Sequence, residues 1–184
     1  MAEARRDRLA DPLDRAFFTA ARALARACVA ALLDTEADDV RLVQLCPSCG
    51  GVDHGRPSVL GRPEVGVSWA HAGGAVVALA THGPCGVDVE PPIAGPAPQR
   101  AITEAERAWL ATGGDFTRLW TRKEALVKAG AATLDEAARL DVLADTVRGL
   151  DLRTWQVGAA TVSSATQPIG SSTNTGIFRS VFFW

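Results

Sequence analysis

Asp88 and Glu90 stand two residues apart in Gly86-Val87-Asp88-Val89-Glu90, and Glu124 and Lys128 stand four apart in Lys123-Glu124-Ala125-Leu126-Val127-Lys128. Residues two apart in a strand share a face, so the two acids point the same way and the valines the other. Like charges on one face repel unless something compensates them. Mg²⁺ would, because it takes oxygen ligands and typically binds one or two carboxylates together with substrate phosphate. On a helix, Trp120, Glu124 and Lys128 fall on one stripe. Trp120 implies that the stripe is partly buried, and a buried acid and lysine need partners. A metal ion for Glu124 and a phosphate for Lys128 would serve.

Two further cations extend the pattern. His71 follows Ser68-Trp69-Ala70 and precedes Gly73-Gly74, and Arg56 lies in His54-Gly55-Arg56-Pro57. Backbone N–H groups in a glycine-rich turn approach anions closely, and arginine is shaped for bidentate phosphate binding. Each feature has a plainer reading when taken alone. D-x-E is also a solvated strand edge, Glu124 and Lys128 also a surface pair worth a few tenths of a kcal/mol, and His71 also a turn residue without a role.

The elements that position these groups are legible in outline. Residues 14–33 read as a helix stopped near Asp34, and 40–45 alternate as a strand. Residues 46–63, rich in Gly, Pro and Cys, read as a long loop. Residues 65–69 and 75–80 read as a hairpin whose turn carries His71, Gly73 and Gly74. A short strand over 86–90 ends at Pro91-Pro92. Residues 91–99 hold four of the ten prolines and form the best linker. Thr103 caps a helix to about Ala111, with Glu106 at the capping-box position. A second helix runs to Ala129, stopped by Gly130. A helical turn over 135–138 and a strand over 152–157 follow. Ser, Thr and Gly dominate 163–176 before an apolar end, so 163–184 reads as an atypical, partly ordered tail. Helices mixed with short antiparallel strands give an α+β class.

Bulk properties narrow the field. The chain has 184 residues, 47% hydrophobic and 22% charged, with a net charge of −2. That is ordinary globular composition, with no electrostatic case for nucleic acid or an acidic membrane. The apolar run from Phe17 to Leu33 contains Arg22 and Arg26. A spanning helix or signal core rarely tolerates them, so an amphipathic helix and a cytoplasmic location are expected. Cys46-Pro-Ser-Cys49 is a CxxC with His54 nearby. Zinc needs four ligands and no second CxxC or HxxxH is present, so the segment reads as a turn with two thiols.

In combination, the motifs resemble a known family. G-V-D-V-E followed by W-x-x-K-E-x-x-x-K is similar to the signature of the 4′-phosphopantetheinyl transferases. Ser68-Trp69-Ala70-His71-Ala72-Gly73-Gly74 resembles their serine-histidine segment, and Gly55-Arg56-Pro57 their G-[KR]-P element. Length, order and spacing resemble the larger, monomeric, surfactin-synthetase-activator type. The resemblance implies two similar halves, each a helix on a small antiparallel sheet, with the substrate cleft between them. Residues 1–85 would form the N-terminal half and 86–162 the C-terminal half.

It also implies a reaction: transfer of the phosphopantetheine arm of coenzyme A to a serine of an acyl or peptidyl carrier protein. By the same resemblance Asp88, Glu90 and Glu124 bind Mg²⁺, Lys128 contacts the pyrophosphate with Lys123 beside it, and His71 and Arg56 contact the 3′-phosphate. Glu124 is the first candidate for the base and Glu106 the second. Ala70 stands where the family usually has serine, which implies one hydroxyl fewer in the 3′-phosphate pocket. Arg118 and Arg122 are candidates for an acidic carrier helix. Two other functions fit the same residues: a coenzyme A-binding protein without transferase activity, and a Mg²⁺-dependent phosphohydrolase.

Overall fold

The computed structural model describes residues 10–46, 49–52, 54–168 and 177–182. The first helix among the described residues, α1 (Pro12–Leu33), begins two residues earlier than the apolar pattern suggests. Asp11 caps it through the amide of Leu13, and Pro12 occupies a first-turn position whose missing N–H costs nothing. Asp34, in the left-handed region, closes it. Length and composition alone would let α1 cross a membrane. Here its Ala25, Cys28 and Val29 pack on a sheet. Arg22 lies along the edge, its guanidinium 3.4 Å over the Phe18 ring and bonded to Gln44.

Strands β1 (Leu42–Leu45) and β2 (Arg56–Val59) form a two-stranded ribbon. The expected long loop is therefore a hairpin whose second strand begins with Arg56 and Pro57. Strands β3 (Val65–Ala72) and β4 (Ala75–His82) pair along their full length. Gly73 and Gly74 both have positive φ, as a two-residue hairpin turn requires. His71 thus lies within β3, not in the turn, because only two residues are needed to reverse the chain.

Strand β5 (Cys85–Glu90) opens a second sheet. After an irregular proline-rich stretch come α2 (Glu104–Ala111), α3 (Phe116–Ala129), the single turn α4 (Leu134–Ala137), and strands β6 (Thr146–Val147), β7 (Leu150–Val157) and β8 (Ala160–Thr166). The order is β5-β8-β7-β6, and every strand pair is antiparallel. A last strand, β9 (Ile177–Phe182), returns to pair with β4. The expected tail is therefore in part regular. Residues 163–166 complete a buried central strand and 177–182 form a sheet edge, while 169–176 lie outside the described residues.

The layers run helix, sheet, sheet, helix. Ala70, Val77 and Leu79 of the first sheet meet Val87, Val89 and Val162 of the second in one apolar layer. On the outer face of the second sheet, Ala125, Leu126 and Ala129 of α3 pack on Leu152 and Ala165. The chain is thus α+β, and its two larger sheets close on each other through side chains.

Candidate functional site

Strand β5 is buried on both faces. Val87 and Val89 enter the apolar layer between the sheets, and Gly86, Asp88 and Glu90 face α3. A Cβ on Gly86 would collide with the carbonyl oxygen of Ala125 and come within 2.6 Å of the amide of Ala129. Glycine is therefore what lets α3 lie directly on β5. The close approach sets Glu124 and Lys128 over the two acids.

Asp88 is 4% exposed. Lys128 Nζ donates to its Oδ1 at 2.6 Å. Its Oδ2 is buried and has no hydrogen-bond partner. Burial raises the pKa of Glu90, with repulsion from Asp88 and Glu124 adding to it and Lys128 opposing. Glu124 is raised by burial and by Asp88, again opposed by Lys128. Three carboxylates thus share one lysine.

An orphaned buried carboxylate oxygen beside two crowded acids is a donor set that fits a hard divalent cation. Asp88, Glu90 and Glu124 are the residues that would hold it. Their oxygens are not drawn into one tight cluster, since among the described residues only Cys46, Cys49 and His54 bring three donors within 4.8 Å of one another. Lys128 supplies the local counter-charge.

Lys128 also opens onto a cavity of about 600 Å³ lined by Gln44, Arg56, Ser68, Trp69 and Val127. The guanidinium of Arg56 lies against Gly130, the left-handed residue that ends α3, so a cation sits at the negative end of the helix dipole. His71 stacks on Phe17 of α1 with ring centroids 5.7 Å apart. Its pKa is lowered by partial burial and then by the charge of Lys128, with Asp14 opposing. Arg56 and Lys128 line one cavity, and His71 lies within electrostatic reach of Lys128, although each comes from a different element.

Other expected site residues lie elsewhere. Glu106 is completely buried. Its Oε2 accepts from the amide of Thr103 and from Lys123 Nζ, both at 2.8 Å, and its Oε1 accepts from the amide of Val142. Lys123, itself 1% exposed, also donates to the carbonyls of Ala138 and Leu140. The two form an ion pair that binds α2, α3 and the segment after α4, which leaves neither for substrate. Arg122 is equally buried and donates to the carbonyl of Ala144, so it is not a surface contact for a carrier.

Ala70 points into the apolar layer, on the opposite face of β3 from His71. A serine there would face the core rather than a 3′-phosphate. The hydroxyl in use is that of Ser68, which accepts from the amide of Val87 at 3.0 Å and ties β3 to β5. Sequence reasoning overlooked Ser68 and Gly86 as positioning residues. The Gly86 signal was available, since i, i+2, i+4 spacing puts it on the face of Asp88 and Glu90.

Residues 84–175, half of the chain, match the model of the 4′-phosphopantetheinyl transferase superfamily. No curated protein matches the sequence. The matched stretch contains Asp88, Glu90, Glu124 and Lys128, the residues that converge where α3 crosses β5. The chain belongs to the 4′-phosphopantetheinyl transferase superfamily.

Proposed function

We propose that the chain transfers the 4′-phosphopantetheine arm of coenzyme A to a serine of an acyl or peptidyl carrier protein, using Mg²⁺ held by Asp88, Glu90 and Glu124. The observation that carries this is Asp88, a buried carboxylate with one oxygen on Lys128 and the other unpaired. We read the two sheet-and-helix units as the halves of a larger, monomeric member of the superfamily. The cavity between β2, β3 and the end of α3 is then where coenzyme A enters.

Phosphoryl transfer depends mainly on positioning and charge neutralisation. The bound ion would neutralise charge on the pyrophosphate. Lys128, about one-third exposed, donates to a pyrophosphate oxygen and stabilises the departing adenosine 3′,5′-bisphosphate. Arg56 and His71 hold the 3′-phosphate. Glu124 takes the proton of the carrier serine. The serine oxygen bonds to the phosphorus next to pantetheine as the bond from that phosphorus to the bisphosphate breaks.

The test is incubation of the protein with a fluorescent coenzyme A analogue, Mg²⁺ and an apo carrier protein. Covalent labelling of the carrier is expected. Nucleotide binding without labelling would instead support a binding protein, and nucleotide cleavage without a carrier a phosphohydrolase.

A further inference from the structure

The β1–β2 hairpin carries chemistry that the transferase site does not use. Its base is fixed by the pairing of Leu45 with Arg56 and by a bond from the side-chain Nε2 of Gln44 to the carbonyl of Gly55. Above that base the chain doubles back. The amide of Cys46 bonds to Gly51, and that of Gly50 to the carbonyl of Cys46. Gly50 sits in the left-handed region, φ +68°, as the turn demands. The amide of Gly51 is thereby aimed at Cys49 Sγ, 3.4 Å away.

Into this turn the structure brings a third donor. His54 Nε2 lies 3.2 Å from Cys49 Sγ, and the donor atoms of Cys46, Cys49 and His54 all fall within 4.8 Å of one another. Gly51 permits it, because a Cβ there would come within 2.5 Å of His54 Cε1. Read from sequence, the segment was a turn with two thiols. His54, only nearby in the sequence, lies against the thiols in the folded chain.

We infer that Cys46, Cys49 and His54 bind a zinc ion, distinct from the carboxylate site on β5 and α3. Zn–S bonds of about 2.3 Å and Zn–N bonds of about 2.0 Å at tetrahedral angles place donors roughly 3.6 Å apart, within reach of the observed spacing. Two thiolates neutralise the ion, and two soft sulfurs with an imidazole favour zinc over the oxygen-seeking Mg²⁺. The amide of Gly51 supplies the outer hydrogen bond that steadies a thiolate. Cys49 and His54 are exposed, so among the described residues the fourth position is left open to solvent. Binding releases the two thiol protons to water. The ion pins the tip of the hairpin whose base carries Arg56, and so fixes one wall of the cavity beside Lys128.

The test uses the full chain, reduced, loaded with Zn²⁺ and desalted, with metal content read by mass spectrometry. About one zinc per chain is expected. With Co²⁺ instead, thiolate-to-cobalt charge transfer and the ligand-field bands of a tetrahedral ion are expected. Cys49→Ser and His54→Ala should each bring metal content to background while the far-ultraviolet circular dichroism is unchanged. Should either variant fold poorly, the wild-type protein decides alone, since zinc should slow alkylation of Cys46 and Cys49 by about tenfold or more. Zinc at background in the wild-type chain, a His54→Ala protein that binds zinc as well as wild type, or alkylation indifferent to zinc would each overturn the site. None of these readouts depends on transferase activity.

Discussion

Gly86 lies so close beneath Ala125 that no side chain fits between strand β5 and helix α3. The four groups of the candidate site are held in register by that contact. Asp88 and Glu90 stand two and four residues along the strand from Gly86, while Glu124 and Lys128 flank Ala125 on the helix.

Gly86→Ala should force the helix off the strand. Overpacking of a well-filled interior typically costs about 1–3 kcal/mol, and the displacement carries Glu124 and Lys128 away from Asp88. Urea unfolding should show the loss of stability, and carrier labelling should fall further than stability alone explains. A variant with wild-type stability and rate would mean that the contact has slack.

Lys123→Met should destabilise the protein without altering the handling of coenzyme A. Removing one partner of a buried ion pair leaves an uncompensated charge, at a cost of about 3–5 kcal/mol. Here Glu106 would be left with its amide donors alone. Denaturant unfolding should reveal the cost, and the KM for coenzyme A of the folded fraction should be unchanged. A large rise in KM at wild-type stability would return Lys123 to the substrate site.

Stability should depend on pH in a direction set by Glu90 and Glu124. Both carboxyls have folded pKa values above the unfolded ones, so between the two the folded state holds more protons. Without divalent cation, stability should therefore fall as pH rises from the ordinary carboxylate range through the raised values, then level off. Calorimetric melting across this range should show the slope. It should flatten in a Glu90→Gln, Glu124→Gln double variant and in the presence of Mg²⁺.

Ala70→Ser should leave coenzyme A affinity unchanged. The side chain faces Val77 and Val87 in the apolar layer, where an unpaired hydroxyl costs about 1–3 kcal/mol. Titration calorimetry with coenzyme A and thermal melting separate the two effects. A gain in affinity would place the residue at the substrate instead.

The parts legible in the sequence were those with strong local signals. Helix α3 had its stripe of Trp120, Glu124 and Lys128 and its Gly130 stop, and the acids of β5 had their period of two. Strand β8 was missed because its residues are small and hydroxylic, and so resemble a tail. It is a central strand. Ser163 is buried and meets Thr121 of α3 at 2.7 Å and Thr154 of β7 at 2.9 Å, so hydroxyls pair where apolar groups were expected. Strand β2 was hidden by Pro57, which an edge strand paired only with β1 tolerates. Strand β9 joins β4 from about a hundred residues away, and no local pattern encodes such a partner. The role given to Glu106 failed for a related reason. Its spacing showed the cap on Thr103, but Lys123 reaches it only through tertiary packing.

The central claim is that Asp88 and Glu124 hold the cation on which phosphopantetheine transfer depends. It is tested most directly by the rate of carrier labelling against Mg²⁺ concentration for wild type, Asp88→Ala and Glu124→Ala. Wild type should label in a saturable, Mg²⁺-dependent manner. Each variant, folded by circular dichroism, should lose about a hundredfold or more at every Mg²⁺ concentration. A variant that retained the wild-type rate and Mg²⁺ dependence would contradict the assignment.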